Sequence, residues 1–224
     1  MDLSSLTPLE GSSSGQTFLG VVAGDRCVVR IYADPGDRGD AAAEIDAALL
    51  RLVRGLVPVP EVLEARRPDP AVGAPGLLVT SFVPGVTADK LLPDLDGEGR
   101  ARVGRSLGTI AAVIAGMPLL RPGPFVDGDL TVGKWADRAD REHPERTALV
   151  HGSLDPGHVL LDTETLEVRA VTGWGSAHAG DPLADLAHLL TRAPAGEFRE
   201  AALGAFAGRH GGTAQDLGAT LALP

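Results

Sequence analysis

The stretch VHGSLDPGHVLLD (residues 150–162) places His151, Ser153, Asp155, His158 and Asp162 close together. A carboxylate can accept a proton or hold a metal, and an imidazole can shuttle a proton or ligate one, so these residue types suit general acid–base or metal-assisted chemistry. Asp155 and His158 bracket Pro156-Gly157, a turn able to bring both side chains to one cleft. Aspartate at this place also caps a Pro-Gly turn through its own backbone, and both roles remain open. His178 and His188 have no partner at metal-ligand spacing and read as surface or core. Arg30, in VVRIY (28–32), is a cation inside an apolar strand-like run, and Glu44, in AAAEIDAALLRL, is an acid on the segment that follows. GSSSGQ (11–16) includes Ser14 and Gly15, and a Gly/Ser loop of this kind can fold its backbone N–H groups around phosphate.

These residues need a frame. Residues 17–32 alternate as two strands around Ala23-Gly24-Asp25-Arg26, a hairpin signal. Ile45, Leu49, Leu52 and Val53 recur at helical spacing between Ala41 and Leu56, and Pro58 and Pro60 end that helix. Val62–Ala65 and Leu77–Val83 read as two more strands, separated by RRPDPAVGAPG. Strand, strand, helix, strand, strand makes a small sheet with one helix packed on it. From residue 86 the pattern becomes helical: 99–115 with Val103, Leu107, Ile110 and Ile114 on one face, 182–191, and 198–209 stopped by Gly211-Gly212. Short strands are expected within 148–162 and over 168–174. The fold class is therefore α+β, with a β-rich unit over 1–85, a hinge at about 82–86 and a mainly helical unit over 86–224.

HGSLDPGHVLLD followed by AVTGWGSAHAGDPLADLA (170–187) closely resembles the aminoglycoside phosphotransferase and choline kinase-like family. Its pattern there is HGD-LHPGN-VL-D, then I-D-W, then GDP–DLA. His151, Gly152, Leu154, Pro156, Gly157, Val159, Leu160, Asp162, Trp174, Gly180, Asp181, Pro182, Asp185, Leu186 and Ala187 match in type and spacing. The resemblance implies a two-lobed, protein kinase-like fold with a small antiparallel N-lobe and an abridged helical C-lobe. It also implies that Arg30 is the phosphate-contacting cation, paired with Glu44, that Ser14 and Gly15 lie over the nucleotide, and that LLVTSFVPG (77–85) brings Ser81 and Val83 to adenine. His151 would brace the catalytic loop by hydrogen bonding.

Three positions depart from the pattern. Where the family carries the Asp that orients the acceptor hydroxyl, the Asn that binds metal and the Asp that holds metal on the phosphates, this chain has Ser153, His158 and Gly173. Phosphoryl transfer relies on metal ions and on a residue that positions the nucleophile. A neutral hydroxyl, a nitrogen ligand and a bare backbone are poor substitutes for oxygen anions around Mg²⁺. The expected function is thus a pseudokinase-like accessory protein holding a small molecule, peptide or partner protein in the interlobe cleft. ATP is a candidate ligand, Mg²⁺ is disfavoured, and no metal ligands are assigned. The alternative is a divergent ATP-dependent O-phosphotransferase using Asp155 and His158 in new roles on a small-molecule or peptide hydroxyl. Antibiotic sequestration or modification is a third reading.

A net charge of −10 argues against a nucleic-acid binder, which must neutralise phosphates with cations. The single cysteine, Cys27, leaves no intramolecular disulfide. The amino-terminal residues have no basic segment followed by an apolar run, and no stretch reaches the ~18–20 apolar residues of a membrane span. A cytoplasmic protein is expected, and a shortened C-lobe motivates a homodimer or hetero-complex.

Overall fold

The computed structural model of the chain describes residues 6–9, 16–34, 36–135, 144–194, 196–211 and 213–221. Strands β1 (Thr7–Pro8), β2 (Gln16–Val22) and β3 (Asp25–Tyr32) lead through a 3-10 segment at Gly36–Ala41 into helix α1 (Ala42–Val53). Strands β4 (Val62–Arg66) and β5 (Gly76–Ser81) complete an antiparallel sheet in the order β1-β2-β3-β5-β4. The hairpin forms where the sequence predicts it: Val22 faces Asp25, and Ala23 and Gly24 turn with φ of 53° and 94°. Positive φ at both positions is the two-residue turn whose twist matches its flanking strands. Helix α1 stops three residues earlier than its apolar spacing suggests, because Arg54 turns to an extended ψ of 130° on the way to Pro58.

The chain continues through β6 (Val86–Thr87), the short α2 (Ala88–Leu91) and the long α3 (Gly97–Ala115). Asp96 caps α3, its carboxylate accepting from the Gly99 N–H at 2.8 Å. Next come β7 (Gly123–Pro124), β8 (Ala148–Val150), β9 (Val159–Leu161), β10 (Val168–Val171) and β11 (His178–Gly180), then α4 (Ala184–Arg192), α5 (Glu197–His210) and α6 (Ala214–Thr220). Two three-stranded sheets, β10-β9-β6 and β7-β11-β8, flank the 151–158 loop. The strand expected over 168–174 ends at Val171, since Gly173 adopts a left-handed conformation (φ 83°, ψ 29°). Helix α6 was not foreseen; Thr213 and Asp216 hold its start in a reciprocal capping box.

One apolar cluster contains Leu49 and Leu78 of the β-rich part together with Leu107, Leu154, Leu186 and Phe206 of the helical part. The two parts therefore bury surface against each other, which fixes the loop at 151–158 relative to α1. No helix among the described residues is long and apolar enough to cross a membrane.

Candidate functional site

The site is assembled on the loop between β8 and β9. His151 is fully buried, its Nε2 at 2.9 Å from the Thr172 carbonyl and its ring edge-on to Trp174 at 4.5 Å. The Ser153 N–H donates to His151 Nδ1 at 3.3 Å, which fixes the neutral tautomer with its proton on Nε2. Burial pulls the imidazole down to about 3. From α4, Asp185 accepts the N–H groups of His151 (2.7 Å) and Gly152 (2.9 Å). Burial lifts that carboxyl to about 6, against the pull of both hydrogen bonds. His151 and Asp185 thus brace the loop from inside and present nothing to a ligand.

The outward groups are Ser153, Asp155 and His158. The Ser153 hydroxyl donates to the Gly173 carbonyl at 3.2 Å. Asp155 Oδ1 accepts from the Gly157 N–H (2.8 Å), so the carboxylate caps the turn. The same oxygen stands 3.1 Å from His158 Nδ1. The capping role is thus observed, and the same carboxylate also stands beside His158. His188, read as a lone histidine, also belongs here: from α4 its Nε2 lies 3.7 Å from Asp155 Oδ2. Its position four residues after Ala184 gave no local signal, because the contact depends on how α4 packs beneath the loop. Gly173 faces His158 directly. A Cβ on Gly173 would collide with His158 Cδ2 and stand 2.8 Å from Nε2.

Arg30 meets an acid from α1, but not the one expected. Its Nη1 lies 3.1 Å from Asp46, while Glu44 pairs with Arg67 at 2.6 Å. The Arg30–Glu44 assignment is corrected accordingly. Asp46 shares the buried face of α1 with Leu49, Leu50 and Val53, three, four and seven residues on, whereas Glu44 looks outward. An acid at core spacing was the available signal. Tyr32 donates its hydroxyl to Asp46 at 2.6 Å, and Arg38 also pairs with Asp46. Arg38 then reaches the carbonyls of Ala177 (2.6 Å) and Trp174 (3.4 Å), tying α1 to the segment after Gly173. The Arg30 guanidinium rests against Gly175, 3.1 Å from where a Cβ would stand.

The remaining expected residues are less convergent. Ser81 is engaged with Glu61: its N–H donates to the Glu61 carbonyl (2.8 Å) and its Oγ accepts the Glu61 N–H (2.9 Å). Val83 follows it, half-buried, in the connection to β6. Ser14 and Gly15 lie outside the described residues. For Mg²⁺ the donor set does not fit: a hydroxyl spent on a carbonyl, an imidazole spent on a carboxylate, and no side chain at 173. Among the described residues no group of three or more His, Cys, Asp or Glu is placed to hold a metal ion.

A family model described as the phosphotransferase enzyme family matches residues 5–220. No curated protein matches significantly. Among solved structures, the GDP and kanamycin complex of APH(2")-IIia aligns with a TM-score of 0.71 at 17% identity, covering 100% of this chain and 83% of that one. An aminoglycoside-3'-phosphotransferase of type VIII aligns at 0.66 with 22% identity, over 96% and 90%. A macrolide 2'-phosphotransferase from Brachybacterium faecium aligns at 0.62 with 21% identity, over 99% and 86%. At these identities the shared property is the fold, an α+β kinase-like arrangement.

Proposed function

The chain belongs to the phosphotransferase enzyme family, matched over residues 5–220, and on that premise we propose that it is a pseudokinase-like member that keeps the interlobe cleft for binding and has little phosphoryl transfer. One observation carries this reading. Ser153, His158 and Gly173, which stand at the family's three reactive positions, supply a hydroxyl bound to a carbonyl, an imidazole bound to Asp155 and a bare backbone. A general base is worth about 10²–10⁴ in rate, and none is aimed from Ser153. Metal, where a relative binds it, neutralises charge on the phosphates; the donor set here does not suit Mg²⁺, so no step of this chain is drawn through it.

On this reading Arg30, Ser153 and the Asp155–His158 pair are the residues that would border the retained cleft. A small molecule is the favoured occupant, since one similar structure holds GDP with kanamycin in a fold of the same shape. A peptide or partner protein fits the reading less closely, and an accessory role beside another enzyme follows from binding without turnover. The test is ATP consumption against a panel of hydroxylated acceptors with Mg²⁺ or Mn²⁺. Turnover indistinguishable from a no-protein control is expected. Robust turnover that disappears in Asp155→Asn would overturn the proposal.

A second reading draws on the Asp155–His158 contact of 3.1 Å, with His188 at 3.7 Å from the same carboxylate. An imidazole oriented by a carboxylate is a plausible base for a hydroxyl, which suits a divergent O-phosphotransferase. Calorimetry of ATP with and without Mg²⁺ separates the two. Affinity that requires Mg²⁺ supports the enzyme; affinity indifferent to it, or no affinity, supports the binding protein.

A further inference from the structure

Gly173 and His158 are fifteen residues apart along the chain, yet in space they touch. Gly173 sits in a left-handed conformation at the end of β10, and a Cβ built there collides with His158 Cδ2, with Nε2 at 2.8 Å and Cγ at 3.0 Å. The ring can step aside only by giving up its contact with Asp155. Its Nδ1 is held by Asp155 at 3.1 Å, and Asp155 is itself held by the Gly157 N–H at 2.8 Å. The His158 backbone is pinned as well, its carbonyl accepting from the Thr172 N–H (2.8 Å) and the Thr172 hydroxyl (3.2 Å). Asp155 is thus a positioning residue for the ring.

We infer that the His158 imidazole occupies the volume that a side chain at 173 would need, so that positions 158 and 173 are one coupled unit and the ring keeps this locus closed to a divalent cation. The steric half stands on the geometry alone. The metal half rests on the functional reading above, in which Ser153, His158 and Gly173 replace metal-supporting residues. A carboxylate returned at 173 by itself would meet a fixed ring. Returned together with asparagine at 158, a shorter side chain with an amide oxygen, it would find space and a second oxygen donor suited to a hard cation.

The test is a double-mutant cycle of His158→Asn, Gly173→Asp and the two combined, read by thermal unfolding and by Mn²⁺ binding in electron paramagnetic resonance, with and without ADP. Left-handed strain at 173 is common to the single and the double variant and cancels in the cycle. Gly173→Asp alone is expected to lower the midpoint by on the order of 5 °C, as an overpacked site does, and to take up no Mn²⁺. The double variant is expected to regain the part of that loss due to the collision, though not the strain common to both, and to bind Mn²⁺. A Gly173→Asp chain that fails to fold while the double folds has the same meaning. Additive midpoint shifts, or a double no more stable than Gly173→Asp, would overturn the coupling. A stable double that takes up no Mn²⁺, or a Gly173→Asp single that binds it equally well, would overturn the ring's part in excluding the ion. ATP turnover by the unaltered protein would sink the functional reading and leave the coupling measured by unfolding intact.

Discussion

His151 and Asp185 are both buried beneath the 151–158 loop, and their proton equilibria move in opposite senses. The folded protein holds His151 neutral down to about 3, whereas an unfolded histidine takes a proton near about 6.5. Between those values the unfolded chain binds more protons, so the stability His151 contributes is whole above about 6.5 and drains away as pH falls. Asp185 is raised to about 6 in the folded state, against about 3.9 when unfolded. Its contribution is whole below about 3.9 and is lost as pH rises through the folded value. The two slopes therefore oppose each other over most of the same window. Comparing the unaltered protein with His151→Gln isolates one of them. The cost of His151→Gln, measured by urea unfolding, should be greatest above about pH 6.5 and shrink steadily as the pH falls from there toward about 3. A cost independent of pH would mean that the imidazole is not held neutral.

At the scale of elements, α3 and α5 show how a glycine's effect depends on its neighbour. A Cβ on Gly104 would meet the Phe198 carbonyl, and one on Gly108 would meet the Ala202 carbonyl, with Ala202 Cα at 2.7 Å. One turn apart on α3, these two let the backbones of α3 and α5 approach closely. Gly208 on α5 has nothing within 4 Å of the same construction. Alanine raises helix propensity by about 1 kcal/mol over glycine. At Gly108 that gain is outweighed by overpacking of roughly 1–3 kcal/mol, because the obstacle is backbone and cannot rotate away. Gly108→Ala should therefore lower the thermal midpoint, and Gly208→Ala should raise stability by roughly 0.5–1 kcal/mol. Equal effects from the two substitutions would contradict the packing.

Across the whole molecule, Asp46 is the joint between the β2–β3 part of the sheet and the segment that follows Gly173. It receives Arg30 and Tyr32 from β3 and Arg38 from the segment before α1, and Arg38 carries on to the Trp174 and Ala177 carbonyls. The side chains of Asp46 and Arg38 are 4% and 11% exposed, so the pair is shielded from water. Removing one member of a buried pair leaves the other charge desolvated and typically costs about 3–5 kcal/mol. Asp46→Ala should lose stability of that order in denaturant unfolding. Asp46→Leu combined with Arg38→Met, which removes the two most buried charges and leaves the more exposed Arg30 without its Asp46 contact, should recover part of it. Glu44→Ala, which affects only an exposed pair with Arg67, should cost less than about 1 kcal/mol. A Glu44→Ala loss as large as that of Asp46→Ala would restore the pairing that the resemblance suggested.

Much of this was written in the chain itself. Turn residues placed the β2–β3 hairpin, apolar spacing placed α1, α3 and α5 to within a few residues, and the matched HGS, DPGH and GDP segments gave both the family and the altered positions. Those features depend on each residue's own chemistry and its near neighbours, which a sequence states outright. It could not state which acid on α1 Arg30 would meet, that His188 would join Asp155, or that the His158 ring would stand in the space over Gly173. Each depends on a distance between segments that only packing brings together. A rotation of α1 by less than a third of a turn would exchange Asp46 for a neighbour without altering a single helical hydrogen bond. Residue identity and spacing thus determined the fold and the altered positions, and tertiary packing decided what occupies the space beside Gly173.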